Sequence, residues 1–297
     1  MICFYHSADF DGHCGGAIVK LAHPDCVLYP INYGDPVPWE LVKGEDVVMV
    51  DFGLQPFGDM IRLKSLANDL VWIDHHRTAL NDYDLADISR PWRGIRREGI
   101  GACALTWEYF FPGEPMPEAV RLLAEYDVWN HSDPSTLPFQ YGMRLEETDP
   151  KASMAIWECL LVTGRPIIES VAMDGSALGD DLTQTIISKG RLILDYERRQ
   201  NEIYAKAACF ETTLGAYHCI AANRILANSQ LFDSVWNPEK YDFMLMFGWR
   251  KGAWRISLYT TRDDLEAGAV AKQYGGGGHP QAAGFECQEL PFALPTE

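Results

Sequence analysis

Three short apolar segments, each leading into an acidic residue, constrain the fold of this chain most strongly. They are "MICFYH" at 1–6, "EDVVMV" at 45–50 and "NDLVWI" at 68–73, and they are followed by Asp9, Asp51 and Asp74. Segments with helical character, such as "GGAIVKLA", separate them. Strands that are apolar on both faces occur in parallel sheets covered by helices on both sides. The sequence therefore predicts an α/β, doubly wound parallel sheet with a ligand crevice at the carboxyl ends of its strands.

The remainder of the chain predicts a helical region followed by a second, smaller domain. Residues 99–165 have the periodicity of three helices, the last ending at Gly164, and residues 179–208 form one long polar-faced helix. Hairpins are expected at 214–215 and at 250–252, followed by a helix capped by Asp263. Because 297 residues exceed what one hydrophobic core usually supports, we predict an N-terminal domain at 1–178, a helical linker at 179–208 and a smaller mixed α/β domain at 209–297.

Charge and composition limit the classes of partner. The chain has 25 Lys and Arg against 42 Asp and Glu, a formal net charge of −17, which repels a long polyanion such as duplex DNA. An anionic substrate is therefore expected to be small or held locally. No segment approaches the roughly 20 apolar residues of a membrane span, so we expect a cytoplasmic protein without a membrane partner. The eight cysteines contain no C-x-x-C pair, which disfavours a zinc ribbon.

Carboxylates and imidazoles converge on the predicted sheet edge. They come from "YHSADFDG", "VDFG" and "IDHH": His6, Asp9, Asp11, Asp51, Asp74, His75 and His76. Asp127, at the end of a predicted helix, joins Asp9, Asp11 and Asp51, and four carboxylates balance two divalent cations. Histidine and carboxylate ligands without thiolate suit Mn²⁺, with Mg²⁺, Co²⁺ and Fe²⁺ as alternatives. The pattern alone fits a dinuclear metal site and a nucleotide-binding crevice equally well.

Five motifs along the chain carry a family resemblance. "HSADFDG", "VDFG", "DHH" and the helix-borne Asp127 resemble, in order, the four N-terminal motifs of the DHH phosphoesterases. "YGGGGHPQAAGF" resembles the glycine-rich motif of their C-terminal DHHA1 domain. The resemblance spans most of the chain. "EYDVWNH" is most similar to the oligoribonucleases called nano-RNases of the second type.

The resemblance implies a hydrolase with two Mn²⁺ ions. One ion would be held by His6, Asp9 and Asp51, and the other by Asp11, Asp51, His75 and Asp127, with Asp51 bridging. Asp74 would orient a histidine, and His76 would lie close to a phosphate oxygen, so the expected catalytic residues are Asp51, Asp74, His75 and His76. His6 precedes Asp9 by three residues, whereas four separate them in many relatives. His13 is the alternative ligand.

The resemblance also implies a substrate site in the C-terminal domain. The loop residues Gly276, Gly277, Gly278 and His279 would bind the terminal phosphate or the nucleotide through backbone N–H groups and an imidazole. Arg262 would contribute a guanidinium, although an ion pair with Asp263 or Asp264 is an equally good interpretation. Trp249, Trp254 and Tyr274 lie near cationic residues and could stack on bases.

These features predict a metal-dependent phosphodiesterase that hydrolyses short single-stranded RNA or linear dinucleotides to mononucleotides. The alternatives are a phosphatase acting on polyphosphate or a 3′,5′-bisphosphonucleotide, a single-strand DNA exonuclease, and a nucleotide sensor without turnover. A homodimer is compatible with the sequence.

Overall fold

The computed structural model describes residues 1–86, 88, 90–161 and 178–295, with side chains described from residue 182 onward in the helix that begins at 178. The chain divides into two compact units, Met1–Ile193 and Leu194–Glu297. The domain limits predicted from sequence remain predictions. Gly164, the expected end of a helix, lies outside the described residues.

The first unit contains a four-stranded parallel sheet with the order β2-β1-β3-β4. Its strands are β1 (Ile2–His6), β2 (Val27–Ile31), β3 (Asp46–Val50) and β4 (Asp69–Ile73). Helices α1 (Phe10–Ala22), α2 (Trp39–Val42), α3 (Gly58–Leu66) and α4 (Arg77–Leu85) alternate with or follow these strands. The strand order places β1 and β3 at the centre, so the residues that follow them lie side by side at one edge.

Both faces of this sheet are buried. Phe4, Met49 and Trp72 belong to one apolar cluster, together with residues of α2, α3 and α4. Their neighbours in sequence, Tyr5, Val50 and Ile73, belong to a second cluster with Val19 of α1. Successive strand residues point to opposite faces, so each strand contributes to both layers. The predicted doubly wound α/β class is confirmed.

A group of helices packs beside this sheet. They are α5 (Ala102–Phe110), α6 (Glu118–Asp127), α7 (Thr136–Met143), α8 (Ala155–Leu160) and the first part of α9 (Leu178–Ala208). The predicted helices at 99–165 match α5, α6 and α8. Helix α7 was not predicted, because Pro138 and Gly142 in its sequence normally interrupt helices. Its first turn nevertheless accommodates Pro138, where the missing N–H has no intrahelical partner.

The second unit is a six-stranded mixed sheet with the order β5-β6-β7-β8-β10-β9. The strands are β5 (Phe210–Leu214), β6 (Tyr217–Asn223), β7 (Phe243–Arg250), β8 (Ala253–Tyr259), β9 (Gly277–Gly278) and β10 (Ala282–Cys287). Strands β6 and β7 are parallel, and the other neighbouring pairs are antiparallel. Both predicted hairpins are present, and the second turns at Lys251 and Gly252, whose positive φ angles of 52° and 86° suit a two-residue loop.

Helix α10 (Ala267–Gln273) begins after the predicted position, so the expectation that Asp263 caps it is wrong. The first N–H groups of this helix, from Ala267 and Gly268, donate to the backbone carbonyls of Pro280 and His279 at 2.7 and 3.1 Å. Backbone carbonyls of a later loop thus accept the hydrogen bonds that a side-chain cap would otherwise accept. Among the described helices of the chain, none is both long and apolar enough to cross a membrane.

Gly190 marks a close crossing of α9 and α7. A Cβ atom built at Gly190 would lie 1.7 Å from the carbonyl oxygen of Pro138, and one built at Gly142 would lie 2.1 Å from the carbonyl oxygen of Ile186. Two helical backbones can approach this closely only where neither carries a side chain. Gly190 is therefore present within α9 because any side chain at this position would collide with the backbone of α7.

We predict that Gly190→Ala lowers the free energy of unfolding by about 1–3 kcal/mol, because the added methyl group meets rigid backbone. Helix propensity alone would give the opposite sign, a gain of about 0.5–1 kcal/mol. Gly58→Ala, in the first turn of α3, is the matched control, since its Cβ would have no described atom within 4 Å. Urea unfolding of both variants checks this, and a Gly190→Ala protein as stable as the wild type would contradict the crossing.

Candidate metal centre

The candidate ligands are placed by chain segments that leave neighbouring strands. His6 is the last residue of β1, and Asp9 caps the N-terminus of α1 by accepting a hydrogen bond from the Gly12 N–H at 3.0 Å. A Cβ atom at Gly12 would lie 2.0 Å from the carbonyl oxygen of His6, so this glycine allows the helix to start directly against the strand. Asp11 follows in the first turn of the helix.

Asp51 occupies the most unusual backbone position at the site. It directly follows β3, has a φ angle of +56°, and its N–H donates to the carbonyl oxygen of Ile73 at 3.0 Å. Its side chain is buried. Aspartate tolerates the left-handed region better than most residues with a Cβ, but the conformation still carries strain, and such strain concentrates at functional sites. The left-handed turn directs a carboxylate into the interior, where an apolar residue would be expected.

His6 and Asp51 form the centre of one group. The Nδ1 atom of His6 lies 3.0 Å from Asp9 Oδ2 and 3.5 Å from Asp51 Oδ2. One ligand atom from each of His6, Asp9 and Asp51 lies within 4.8 Å of the other two, so the three could hold one metal ion.

His75 forms the centre of a second group. Its Nε2 atom lies 3.1 Å from Asp127 Oδ2, 3.3 Å from Asp51 Oδ1 and 3.8 Å from Asp11 Oδ2. Asp127 is the last residue of α6. The two oxygens of Asp51 are therefore divided between the two groups, one oxygen near each histidine.

The polar atoms of these groups fit the requirements of a metal site. Within the described part of the chain, His6 Nδ1, His75 Nε2 and both carboxylate oxygens of Asp51 are buried without a hydrogen-bond partner. Buried polar atoms without a partner are costly, and one divalent cation in each group would satisfy all four. The described residues contain three groups able to hold a metal ion, namely His6, Asp9 and Asp51; Asp11, His75 and Asp127; and Asp51, His75 and His76. The structure thus brings together all six predicted ligands, whose ligand role remains a prediction.

The pKa values reflect the repulsion among the buried carboxylates of this cluster. Burial lowers the pKa of His6, but the contacts and charges of Asp51 and Asp9 outweigh burial and raise it to about 10. Burial likewise lowers the pKa of His75, and Asp51, Asp11 and Asp127 raise it to about 9. Burial and the charge of Asp51 raise the pKa of Asp127 to about 6. Without a metal ion, protons take the place of positive charge among these carboxylates.

Asp74 positions His76. One oxygen of its fully buried carboxylate, Oδ1, accepts hydrogen bonds from the backbone N–H groups of His75 and His76 at 2.7 and 3.1 Å. The same oxygen lies 2.8 Å from Nδ1 of His76. This contact assigns the proton of His76 to Nδ1 and leaves Nε2 available. The geometry agrees with the expectation that Asp74 orients a histidine.

Asp11 has a second task that the sequence did not reveal. Its Oδ2 and Oδ1 atoms accept hydrogen bonds from the N–H groups of Ala102 and Cys103 at 2.7 and 2.8 Å. These are the first two residues of α5, whose own capping residue, Gly101, has no side chain to offer. The side chain from α1 therefore caps another helix while it faces the candidate metal site.

His13, the alternative ligand, lies outside all three groups. Its Nδ1 atom is 3.0 Å from Thr148 Oγ1 and its Nε2 atom is 3.2 Å from the carbonyl oxygen of Ser7. The structure instead brings His6 to Asp9 across the short three-residue gap.

In the second unit, Arg262 forms ion pairs with two carboxylates. Its guanidinium lies 2.7 Å from Asp264 and 2.8 Å from Asp242, so the predicted pair with Asp264 is present. An anionic ligand would have to compete with both.

The glycine-rich loop offers fewer free N–H groups than expected. The N–H groups of Gly276 and His279 donate to the carbonyl oxygens of Ala271 and Ala282 at 3.0 and 2.8 Å. Gly277 and Gly278 form the short strand β9 against β10. A Cβ atom at Gly276 would lie 2.1 Å from the carbonyl oxygen of Gly284, so close backbone packing already requires this glycine.

The predicted stacking aromatics of this unit contact other aromatic rings. Trp249 packs edge-on against Trp254 at 5.4 Å, and Tyr274 stacks on Phe285 at 4.6 Å. Two aromatic surfaces of the first unit were not predicted from the sequence. One surrounds a cavity of about 320 Å³ lined by residues that include Tyr33, Trp39 and Phe52. The other consists of Tyr126, Trp129 and His131, immediately around Asp127.

Comparisons with known proteins give two curated relatives and a shared fold. The chain is 26% identical over 266 residues to uncharacterized protein R106 of Acanthamoeba polyphaga mimivirus, a match that covers 86% of this chain and 56% of that protein. It is 23% identical over 231 residues to oligoribonuclease NrnB of Bacillus subtilis strain 168, covering 75% of this chain and 54% of that protein. The chain therefore spans about half the length of the curated relatives it matches.

Among solved structures, PggH from Vibrio cholerae, a pGpG-specific phosphodiesterase, aligns with a TM-score of 0.52 at 11% identity, over 96% of this chain and 92% of that one. No family model matches the chain. The match to the oligoribonuclease NrnB and the fold shared with PggH confirm the resemblance that the motifs predicted.

We predict that Asp11→Asn is more stable than Asp11→Ala by about 1 kcal/mol in the presence of EDTA. Both variants remove the charge, but only asparagine keeps an oxygen to accept an N–H from the start of α5. Urea unfolding measures the difference. Equal stability of the two variants would show that α5 does not depend on this cap.

We predict that Asp51→Asn weakens the binding of Mn²⁺ at both groups by at least about 100-fold, because its two oxygens are divided between them. Asparagine tolerates the left-handed backbone, so the variant is expected to fold. Asp127→Asn, which touches only the His75 group, should lose one ion and keep the other. Isothermal titration gives the stoichiometry, and two ions bound tightly to the Asp51→Asn protein would contradict the division.

Proposed function

On the premise of its resemblance to the DHH phosphoesterases, carried by its motifs and supported by one curated relative and a shared fold, we propose that this chain is a metal-dependent phosphodiesterase. Its substrates are short RNA oligonucleotides and linear dinucleotides, which it hydrolyses to mononucleotides. The observation that carries the proposal is the pair of histidine and carboxylate groups sharing the buried, unpartnered carboxylate of Asp51. Such an arrangement is typical of two-metal phosphoryl-transfer sites.

The names of the relatives support short substrates. The curated relative from Bacillus subtilis is an oligoribonuclease, and the protein that shares the fold acts on pGpG, a dinucleotide. The formal net charge of −17 also favours a small anion over a long one. Together these features favour short RNA over long single-stranded DNA.

The cavity beside His6 also supports a small substrate. The rings of Tyr33 and Phe52, which line it, lie 5.9 and 5.7 Å from the imidazole ring of His6. Asn32, Asp35 and Asp59 also line the cavity and supply hydrogen-bonding groups. At about 320 Å³ the cavity is near the lower limit of small-ligand sites, a volume suited to one nucleoside.

The reaction is the addition of water across one phosphodiester bond. The water oxygen bonds to phosphorus, one P–O ester bond breaks, and a proton passes to the departing hydroxyl oxygen. His6, Asp9 and Asp51 would hold one divalent ion, and Asp11, Asp51, His75 and Asp127 the other. When bound, two such ions supply Lewis-acid activation and neutralise the charge that develops on the phosphate.

His76 is the group of this chain best placed to serve the phosphate directly. Its ring is about one-third exposed, whereas Asp74 beneath it is fully buried. The hydrogen bond from Nδ1 to Asp74 fixes the ring orientation and raises the pKa of His76. Nε2 can then hold a proton and donate it to a phosphate oxygen or to the departing hydroxyl.

The test compares substrates side by side. Protein loaded with Mn²⁺ is incubated with 5′-labelled RNA dimers to pentamers, a long single-stranded DNA, polyphosphate and a 3′,5′-bisphosphonucleotide. We expect the fastest release from the shortest RNAs, and a loss of at least about 100-fold in Asp51→Asn. Rapid phosphate release from polyphosphate with no cleavage of any RNA would overturn the proposal.

A further inference from the structure

Trp129 occupies a backbone position that normally favours glycine. Its φ angle is +61°, its N–H donates to the carbonyl oxygen of Tyr126 at 3.0 Å, and the N–H of Asn130 donates to that of Glu125 at 2.8 Å. These two bonds form a Schellman motif at the end of α6, in which the residue after the cap is left-handed. A bulky residue there costs conformational energy that glycine would avoid.

Packing does not compensate for this strain. Trp129 is 74% exposed, so most of its large apolar surface faces solvent. Its ring contacts are with Tyr126 at 6.1 Å and His131 at 4.8 Å, and the rings of Tyr126 and His131 stack on each other at 5.4 Å. We call these three residues the aromatic cluster. A strained, exposed tryptophan backed by two rings offers a flat surface without an interior role.

The aromatic cluster lies next to the candidate metal centre. Trp129 follows Asp127 by two residues, which limits the distance between their Cα atoms to about 7 Å. The Oδ2 atom of Asp127 in turn lies 3.1 Å from His75 Nε2. A nucleotide whose phosphate reaches the metal centre therefore has its base within reach of this surface.

The segment that carries Trp129 is anchored on both sides. Arg121 bonds Glu125 at 2.7 Å within α6 and Asp133 at 2.8 Å beyond the cluster. The hydroxyl of Thr136, at the start of α7, donates to Glu125 at 2.9 Å. These bonds anchor the backbone segment that carries the indole before any ligand arrives, which reduces the entropy that binding must overcome.

We propose that the indole of Trp129, backed by Tyr126 and His131, stacks on a nucleobase of the substrate whose phosphate lies at the metal centre. The inference rests on the proposed function and names the substrate class of that same site. Every base has a π face, so stacking would favour nucleotides over other phosphate esters without selecting a sequence. Polyphosphate, which has no base, would gain nothing from this surface.

The test uses Trp129→Gly, with Trp129→Phe as the matched control. A purely structural role of the indole predicts that glycine lowers the free energy of unfolding. Stacking predicts that glycine is at least as stable in urea unfolding, because the left-handed strain is relieved, while KM for an RNA dinucleotide rises about 10- to 100-fold and kcat stays within about 3-fold. Phenylalanine keeps an aromatic face, so its KM should stay within about 5-fold of the wild type. Unchanged KM in Trp129→Gly would overturn the proposal.

A binding measurement separates this inference from the proposed function. Calorimetry with the Mn²⁺-loaded protein compares adenosine 5′-monophosphate with ribose 5-phosphate, which has the same phosphate and sugar but no base. We expect the wild type to prefer the nucleotide by at least about 10-fold and Trp129→Gly to lose that preference. Equal affinities in the wild type would overturn stacking even if RNA is hydrolysed. A preference that depends on Trp129, without hydrolysis of RNA, would reject only the proposed function.

Discussion

Asp51 leaves the end of β3 in a left-handed conformation, and its carboxylate is buried between the imidazoles of His6 and His75. Neither oxygen has a hydrogen-bond partner among the described residues, so this carboxylate requires positive charge. Strands β1 and β4 lie on the two sides of β3 and bring one histidine each. The parallel sheet thus places two candidate cation sites on either side of one carboxylate.

The helices around the sheet are tied to the same acidic cluster. Asp11 supplies the cap of α5, and Asp127 ends α6, so two helices meet the site through carboxylates. Burial together with the charges of Asp51 and Asp127 raises the pKa of Asp11. The hydrogen bonds from α5 act in the opposite direction because they favour the ionised form. Loading the site with cations would therefore remove repulsion and reinforce the junction between α1 and α5.

Aromatic side chains lie on two sides of the candidate metal centre. Tyr33 and Phe52 lie beside His6, and the cluster around Trp129 lies beside Asp127. Under the proposed function, an aromatic face near each of the two candidate cation sites would serve a dinucleotide, in which two bases flank one phosphodiester. In that proposal, side chains of the first unit by itself would bind both the phosphate and the bases.

The sequence by itself determined the α/β class and the convergence of His6, Asp51 and His75, because residues at the carboxyl ends of parallel strands must share an edge. Asp127 reaches the same edge from the end of α6. The sequence did not determine how α7 and α10 begin. Helix α7 tolerates Pro138 in its first turn, and α10 receives its cap from the carbonyls of His279 and Pro280. Local helix propensity cannot predict a cap of this kind, since the capping carbonyls come from another part of the chain.

Only the tertiary structure decided which residues have two roles. Asp11 caps a helix that starts 91 residues later, and Gly190 is required by the carbonyl of Pro138. The strain at Trp129 is likewise invisible in the letters "DVWN", because a left-handed φ angle is set by how α6 ends and by the bonds that anchor the following segment. Periodicity and strand order fix where side chains emerge, whereas contacts between distant segments fix what each side chain must satisfy.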